Sequence, residues 1–278
     1  MVILVPAFAK VNLMLRITGK TESGYHNLQS IFVFLKDVYD DIIINSDREF
    51  GKSSGIIDGV CDASNSVKLA AEILHDIFHL KIPHVDIKKR IPMGSGLGGG
   101  SSDAARFIDA VFDIWQMPHQ ERLAYINFFN PLGTDAALFL FGFFMKTDPI
   151  LLDGTIFPRA IPELNGRYIV VVHNGIFLST GRVYSEFTGP FQAAIDINTC
   201  DLEYLSKNFH NSLQETAISL VPEIREILSS IEKTNPLFHG VSGSGSSCFG
   251  LYDSRDMAEE AVTSLKLLGY DFVRMSRI

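Results

Sequence analysis

Hydrophobic and polar positions change their period along the chain, and each change marks an element. Residues 2–17 run Val-Ile-Leu-Val, then Pro6, then alternate through Ala-Lys-Val-Asn-Leu-Met-Leu-Arg-Ile, which predicts a strand. Residues 28–35 and 39–44 predict two more. A Gly/Ser/Asp-rich stretch through Asp62 reads as loop or short edge strands, after which Asn65 opens a helix. Val67, Ala70, Ala71, Leu74, Ile77 and Phe78 give that helix one apolar face. Residues 84–90 predict a strand, and Ala104, Ile108, Val111, Phe112 and Trp115 recur at helical spacing. A shorter helix over 121–129 precedes an apolar run over 136–145. In the second half, 167–173 reads as a buried strand and 211–232 as a helix broken near Pro222. A helix over 257–268 and a strand over 270–275 close the chain, and no internal repeat is visible.

Composition narrows the class. The chain has 278 residues, 46% hydrophobic and 20% charged, ordinary for a soluble globular protein with one large or two modest domains. A formal net charge of −8 argues against a nucleic-acid partner, so an anionic substrate must be met by a few placed cations. Cys61, Cys200 and Cys248 include no close pair, which predicts free thiols in a reducing compartment and no zinc site. The amino terminus lacks a signal-peptide pattern, and the longest apolar run is too short to cross a bilayer. The expectation is a cytoplasmic protein without a membrane partner, acting as a monomer or weak homodimer.

The candidate chemistry centres on Ile91-Pro92-Met93-Gly94-Ser95-Gly96-Leu97-Gly98-Gly99-Gly100-Ser101-Ser102-Asp103-Ala104-Ala105, five glycines running straight into a helix. A helix N-terminus offers unpaired N–H groups and the positive end of a dipole, and glycines let the backbone approach a ligand. The stretch is therefore built to hold phosphate, although a flexible turn with a serine cap is the plainer alternative. Gly94, Gly96 and Gly99 spell the dinucleotide-fold fingerprint, but the nearest acidic residues, Asp109 and Asp113, fall inside the helix. No Lys-Ser or Lys-Thr follows the last glycine, so the Walker pattern fails as well.

Several other residues stand out. Lys10 and Asn12 are two apart and share one face of the first strand. Tyr25 and His26 end a polar loop between strands and offer a ring and a hydrogen-bonding imidazole. Alone they would be a packed tyrosine and a surface histidine. Asp135 heads an apolar stretch, where most aspartates, or the adjacent Thr134, simply cap a helix. Residues 240–250 form a second glycine-rich loop, with Gly243 and Gly245 at its centre.

The run Pro-Met-Gly-Ser-Gly-Leu-Gly-Gly-Gly-Ser-Ser-Asp-Ala-Ala resembles the ATP-binding loop of the GHMP kinases, and the likeness reaches nearly the whole chain. Ala-Lys-Val-Asn-Leu at the start and Gly-Tyr-His-Asn-Leu-Gln-Ser-Ile at 24–31 resemble one branch of that family. Its members use ATP to phosphorylate the 2-hydroxyl of a small cytidine-diphosphate substrate. The resemblance implies an α+β fold in two lobes, an ATP-binding domain over 1–150 and a second domain over 151–278. The boundary falls near 146–160, with the active site in the cleft between the lobes. It also implies roles. Lys10 and Asn12 would lie near the reacting hydroxyl, with Asp135 as the catalytic aspartate. Tyr25 and His26 would hold the cytosine, and Tyr184 would supply a second aromatic, unless it merely packs at a helix start.

Asn65 would meet the nucleotide as well as cap its helix, and Lys89 would lie beside the adenine, with Lys88 and Arg90 as solvated neighbours. Pro92, Met93 and the loop from Gly94 to Ser102 would carry ATP. Gly243 and Gly245 would lie against the substrate's phosphates. Mg²⁺ is expected with ATP, with Ser101 or Ser102 as its contact and the remaining ligands open. Two departures stand out: Ala136-Ala137 replaces the family's Val-Pro, and its Gly-x-Gly-Glu gives way to Met145-Lys-Thr-Asp-Pro-Ile-Leu-Leu-Asp-Gly154. A GHMP kinase of the homoserine or mevalonate type, and a non-catalytic nucleotide-binding regulator, remain as alternatives.

Overall fold

The computed structural model describes residues 1–22, 24, 26–51, 65–147, 149–152, 155–158, 161–196 and 201–278. The chain forms two compact units, one of Met1–Ala9, Tyr39–Ile91 and Gly98–Pro149, the other of Lys10–Val38, Pro92–Leu97 and Ile150–Ile278. The secondary structure is α+β throughout. Among the described residues no helix is long and apolar enough to cross a membrane.

Strand β1 (Val2–Lys20) begins with alternating exposure and is buried without a break from Ala9 to Leu15. Strand β2 (His26–Glu49) corrects the sequence reading, because the strands expected at 28–35 and 39–44 are one 24-residue strand. The exposed Lys36-Asp37 pair looked like a break. Instead the Asp37 carboxylate accepts from the Ser276 hydroxyl and the Arg277 amide, each at 3.1 Å, so the chain has no reason to turn.

Helix α1 (Ser66–Phe78) is capped by Asn65, whose side chain accepts from the amides of Val67 and Lys68. Strand β3 (Pro83–Lys88) pairs antiparallel with β2, Asp41 opposite Lys88 through Asn45 opposite His84. Helix α2 (Gly99–Ile114) follows the glycine loop directly. The helix expected at 121–129 is a short α3 (His119–Arg122) running into a 3₁₀ segment, Leu123–Leu132. Pro131 lacks the N–H a continuing α-helix needs, and the apolar positions there keep no clear 3.6-residue period. Helix α4 (Thr134–Met145) then packs on α2, with the rings of Phe112 and Phe144 stacked at 5.9 Å. Arg122, 2% exposed, reaches Asp109 Oδ1 at 2.7 Å and Asp113 Oδ1 at 2.6 Å, tying α3 back to α2.

Two short strands lie within and just after the segment that departs from the expected pattern after Asp135. These are β4 (Pro149–Leu152), paired with Gln29–Ile31 of β2, and β5 (Thr155–Pro158) beside it. Strand β6 (Tyr168–His173) is the buried centre of a second sheet. Helices α5 (Thr180–Glu186) and α6 (Leu202–Asn208) lead to α7 (Gln214–Leu220) and α8 (Glu223–Glu232), which separate at Val221-Pro222. Asn211 is not helical as expected; Leu15 pairs with it in an isolated parallel bridge. Strands β7 (Phe238–Val241) and β8 (Cys248–Tyr252), helix α9 (Arg255–Leu267) and strand β9 (Phe272–Arg277) finish the chain. The sheet order is β7-β8-β6-β9, all antiparallel. Val170, Val172, Ile224, Ile227, Ile231 and Leu265 meet in its core, each at most 1% exposed.

Candidate active site

The glycine loop is held by its carbonyls. Four in succession take protein donors: Gly94 from the Leu178 amide at 3.0 Å, Ser95 from the Ser247 amide at 2.9 Å, Gly96 from the Ser242 hydroxyl at 3.1 Å, and Leu97 from the Lys10 amide at 3.0 Å. Among the described residues, the amides of Gly94 to Gly98 donate to nothing. Helix α2 begins after Gly98 with no side-chain cap. Carbonyls tied down and amides left over make a cradle for an anion. Gly96 shows why glycine is needed, since φ is +77° and a Cβ there would lie 2.2 Å from the Ser242 carbonyl oxygen. Ser95 and Leu97 are buried, while Pro92, Gly98, Gly99 and Ser101 are half-buried and Met93 and Gly100 more open. Ser102 is fully buried, and its hydroxyl has no partner among the described residues.

The second glycine loop lies against the first. Ser242 and Ser247 reach it as above, and the Asn211 side chain fixes its far side by donating to the Val241 and Gly243 carbonyls, both at 2.8 Å. Asn211 was not singled out from sequence, where it fell at the start of the helix expected over 211–232. Gly245 is positioned through its amide, which donates to the Ser242 carbonyl at 2.9 Å.

Gly243 covers the Lys10–Asn12 pair: a Cβ there would lie 3.0 Å from Asn12 Oδ1 and 3.1 Å from Lys10 Nζ. Lys10 is 4% exposed and Asn12 2%, and Lys10 Nζ donates to Asn12 Oδ1 at 2.6 Å. The shared face expected from their spacing is therefore a buried one. The ammonium also stands 5.5 Å from the centre of the Phe32 ring.

His26 meets Tyr184, ring centres 5.5 Å apart and planes 34° off parallel, and Phe187 edge-on at 5.7 Å. Tyr184 sits inside α5, which Ser179 caps, so it is not a helix-start residue. The imidazole Nε2 is buried and has no partner among the described residues. Burial, and then the charge of Lys20, hold His26 below its ordinary pKa, so the ring is neutral with one donor and one acceptor. Tyr25 lies outside the described residues, as do Cys61 and Cys200; Cys248 is a buried free thiol.

Lys89 occupies a setting no sequence feature announced. Its ammonium is shared between Asp40 and Asp103, the latter at 2.7 Å. Asp40 also accepts from the Arg90 and Ile91 amides, fixing the chain just ahead of the glycine loop. One ammonium cannot neutralise two buried carboxylates. Asp40 has three donors, whereas Asp103 has an oxygen, Oδ1, without a partner among the described residues. Burial first, with the Asp40 charge adding and Lys89 opposing, pushes Asp103 up to about 7. Lys89 is raised despite burial, because both carboxylates favour its charge.

Asp135 stands half-buried in the first turn of α4. The N-cap position there is Gly133, which places Thr134 and Asp135 one and two residues inside the helix rather than at the cap. Among the described residues, no group of three or more His, Cys, Asp or Glu could hold a metal ion.

The chain matches the family model for the GHMP kinases N terminal domain over residues 65–143 and the one for GHMP kinases C terminal over 195–271. A 4-diphosphocytidyl-2-C-methyl-D-erythritol kinase of Wolbachia sp. subsp. Drosophila simulans (strain wRi) is 32% identical over 286 residues, spanning 94% of this chain and 93% of that protein. A protein of the same name from Ehrlichia canis (strain Jake) is 32% identical, spanning 98% and 97%. A crystal structure of 4-(cytidine 5'-diphospho)-2C-methyl-D-erythritol kinase shares the fold with a TM-score of 0.77 at 27% identity, over 99% of this chain and 98% of that one. Homoserine kinase from Cytophaga hutchinsonii ATCC 33406, at 14% identity and a TM-score of 0.71 over 100% and 95%, is alike in fold.

Two outcomes follow from this geometry. Gly96→Ala forces a Cβ onto the Ser242 carbonyl and should raise KM for ATP at least about tenfold, as expected when a backbone cradle is displaced. An unchanged KM would show that the loop tolerates the shift. The second concerns pH. A carboxyl raised from 3.8 to about 7 stabilises the fold below its ordinary pKa and loses that contribution as pH rises through about 7. Asp103→Asn cannot titrate, so the melting temperature of the parent minus that of the variant should fall between pH 5 and 8. Taking the difference cancels the buried histidines, whose lowered pKa values act in the opposite sense. A flat difference would mean that Asp103 stays charged.

Proposed function

This chain belongs to the GHMP kinases, and from that premise we propose that it phosphorylates the 2-hydroxyl of 4-diphosphocytidyl-2-C-methyl-D-erythritol with ATP, a step of non-mevalonate isoprenoid biosynthesis. The observation that carries the choice of substrate is the buried Nε2 of His26, without a partner among the described residues and beside Tyr184 and Phe187. A polar atom left so costs about 1–3 kcal/mol, which a ligand's matching group would offset. A pyrimidine base brings both a flat face and an edge of donors and acceptors. Homoserine or mevalonate, small aliphatic alcohols, would leave the aromatic cluster and the imidazole unused.

In this reading ATP lies on Pro92, Met93 and the Gly94–Ser102 stretch, with its phosphates on the free amides at the start of α2. Asn65 bounds the nucleotide from the start of α1. Lys89, its charge committed to two carboxylates, offers the adenine its methylene stem rather than a cation. Gly243 and Gly245 let the second loop approach the substrate's phosphates. Asn12 and Lys10 meet the acceptor hydroxyl, where the ammonium stabilises the charge developing on oxygen. Asp135 orients the hydroxyl and receives its proton. Phosphoryl transfer is mostly positioning and charge stabilisation, so each group contributes without dominating. A hydroxyl at Ser101 and the nucleotide's own oxygens form a hard donor set suited to Mg²⁺, which supplies charge neutralisation on the phosphates when bound. Ser102, buried beneath the turn, is the poorer candidate.

The reading is tested by ADP release with a panel of acceptor alcohols, in which only the cytidine-diphosphate compound should support turnover. His26→Ala should raise KM for that compound roughly ten- to a hundredfold and leave KM for ATP nearly unchanged; a parallel rise in both would make the residue structural. Asp135→Asn should lower kcat on the order of 10²–10⁴-fold with ATP binding intact. Lys10→Met should also lower kcat, and the double variant should lose less than the product of the singles. An Asp135→Asn enzyme with near-parental kcat would sink the mechanism.

A further inference from the structure

Beneath the Lys10–Asn12 pair lies a third polar residue, and the pair's geometry depends on it. Asn12 Nδ2 donates to Ser30 Oγ at 2.9 Å, and Ser30 Oγ donates to the Met14 carbonyl at 2.6 Å. Ser30 lies in β2, Asn12 and Met14 in β1, and both polar side chains are at most 2% exposed. The order of donors in this chain is forced. A carbonyl oxygen only accepts, so the single Ser30 proton goes to Met14. The Ser30 oxygen is then left only to accept, so it must face the amino end of the Asn12 amide. The other end, Oδ1, is thereby turned to Lys10, whose ammonium only donates. An amide's two ends are nearly the same size, and packing alone would not choose between them.

We propose that Ser30 is a positioning residue for phosphoryl transfer, fixing the Asn12 amide so that its oxygen holds the Lys10 ammonium in place. The inference rests on Lys10 acting at the acceptor hydroxyl, as proposed above. Without the Ser30 hydroxyl, the Asn12 amino group loses its acceptor in a buried setting, and the amide can rotate to present N–H groups to a cation. The ammonium then leaves the position the second glycine loop has enclosed. In the proposed reading ATP and the cytosine are held by other residues, and Lys10 acts at the reacting hydroxyl, so the effect should fall mainly on turnover.

The experiment is ADP release with ATP and 4-diphosphocytidyl-2-C-methyl-D-erythritol, run with melting temperatures on the same preparations. Ser30→Ala should lower kcat roughly ten- to a hundredfold, the scale of a displaced buried hydrogen bond, with KM for ATP within about twofold of the parent. In an Asn12→Ala background the same change should leave kcat nearly where Asn12→Ala put it, because Ser30 acts through that amide. Ser30→Thr keeps the hydroxyl and should recover most of the rate. Ser30→Cys keeps the volume but is a poor donor, and it should reproduce the loss if Ser30→Ala does not fold. A purely structural serine predicts a lower melting temperature with unchanged kcat, and that result overturns the proposal. Independent, multiplicative effects of Ser30→Ala and Asn12→Ala overturn it as well. Lys10→Met separates the two layers of argument. If it abolishes turnover while Ser30→Ala does not touch kcat, only the Ser30 role fails. If Lys10→Met turns over normally, the reading of Lys10 fails and takes Ser30 with it.

Discussion

Four consecutive carbonyls with protein donors, and amides beside them that donate to none of the described residues, form the constraint on which the rest depends. A glycine-rich loop with unsatisfied backbone on both sides would be a mobile turn. Here the carbonyl dipoles of Gly94 to Leu97 are spent on donors from Leu178, Ser247, Ser242 and Lys10, segments far apart in the chain. What remains exposed to a ligand is the electropositive half of each peptide group, followed at once by an uncapped helix start. The two glycine stretches are one device seen from either side. Missing Cβ atoms at Gly96 admit the second loop, and at Gly243 they admit Lys10 and Asn12. Lys10 belongs to both, with its amide on the first loop and its ammonium beneath the second.

The same economy governs charge. On the proposed function, a chain of net charge −8 must draw a nucleotide triphosphate and a diphosphate-bearing alcohol without a broad positive field. Lys89 is not available for that purpose, since Asp40 and Asp103 already share it. Its ammonium joins the segment entering the loop to α2 through Asp103. Attraction falls to amide dipoles, Lys10 and any cation that the phosphates bring with them. Such interactions are short-ranged and directional, which favours selection of one bound geometry over rapid capture.

What the sequence made legible was local. Asn65 capped the helix its position suggested, the alternation of β1 placed Lys10 and Asn12 on one face, and the glycine count located the loop. Asp40 could have been found as well, since it falls in step with the buried Val38, Ile42 and Ile44. An acidic residue in an apolar register needs a partner, and that register names the acid without naming the lysine. The misread elements failed for reasons outside any window. Lys36-Asp37 resembles a break until the last strand claims the aspartate. Residues 123–132 carry helical composition without helical period, and tighten into a 3₁₀ segment before Pro131. Ser30 lay inside the motif at 24–31 but showed no role of its own there, because its stretch of β2 is buried on both faces and alternation says nothing.

Both buried polar clusters resolve by the same logic. In each, a backbone group whose character cannot change dictates the state of a side chain whose character can. The Met14 carbonyl spends the Ser30 proton, and the orientation of Asn12 and the seat of the Lys10 ammonium follow. The Arg90 and Ile91 amides give Asp40 two donors that Asp103 lacks, and burial beside that second carboxylate favours the proton on Asp103. Side-chain identity alone therefore does not determine what these residues do. An asparagine at 12 without the carbonyl at 14 could face either way, and an aspartate at 103 without those two amides would compete evenly with its neighbour for Lys89. The function proposed here is written in the side chains, but its direction is set by strand register and by the loop entrance. A change that leaves every named residue in place and slips β1 against β2 would reverse the amide of Asn12 without altering its surroundings in composition.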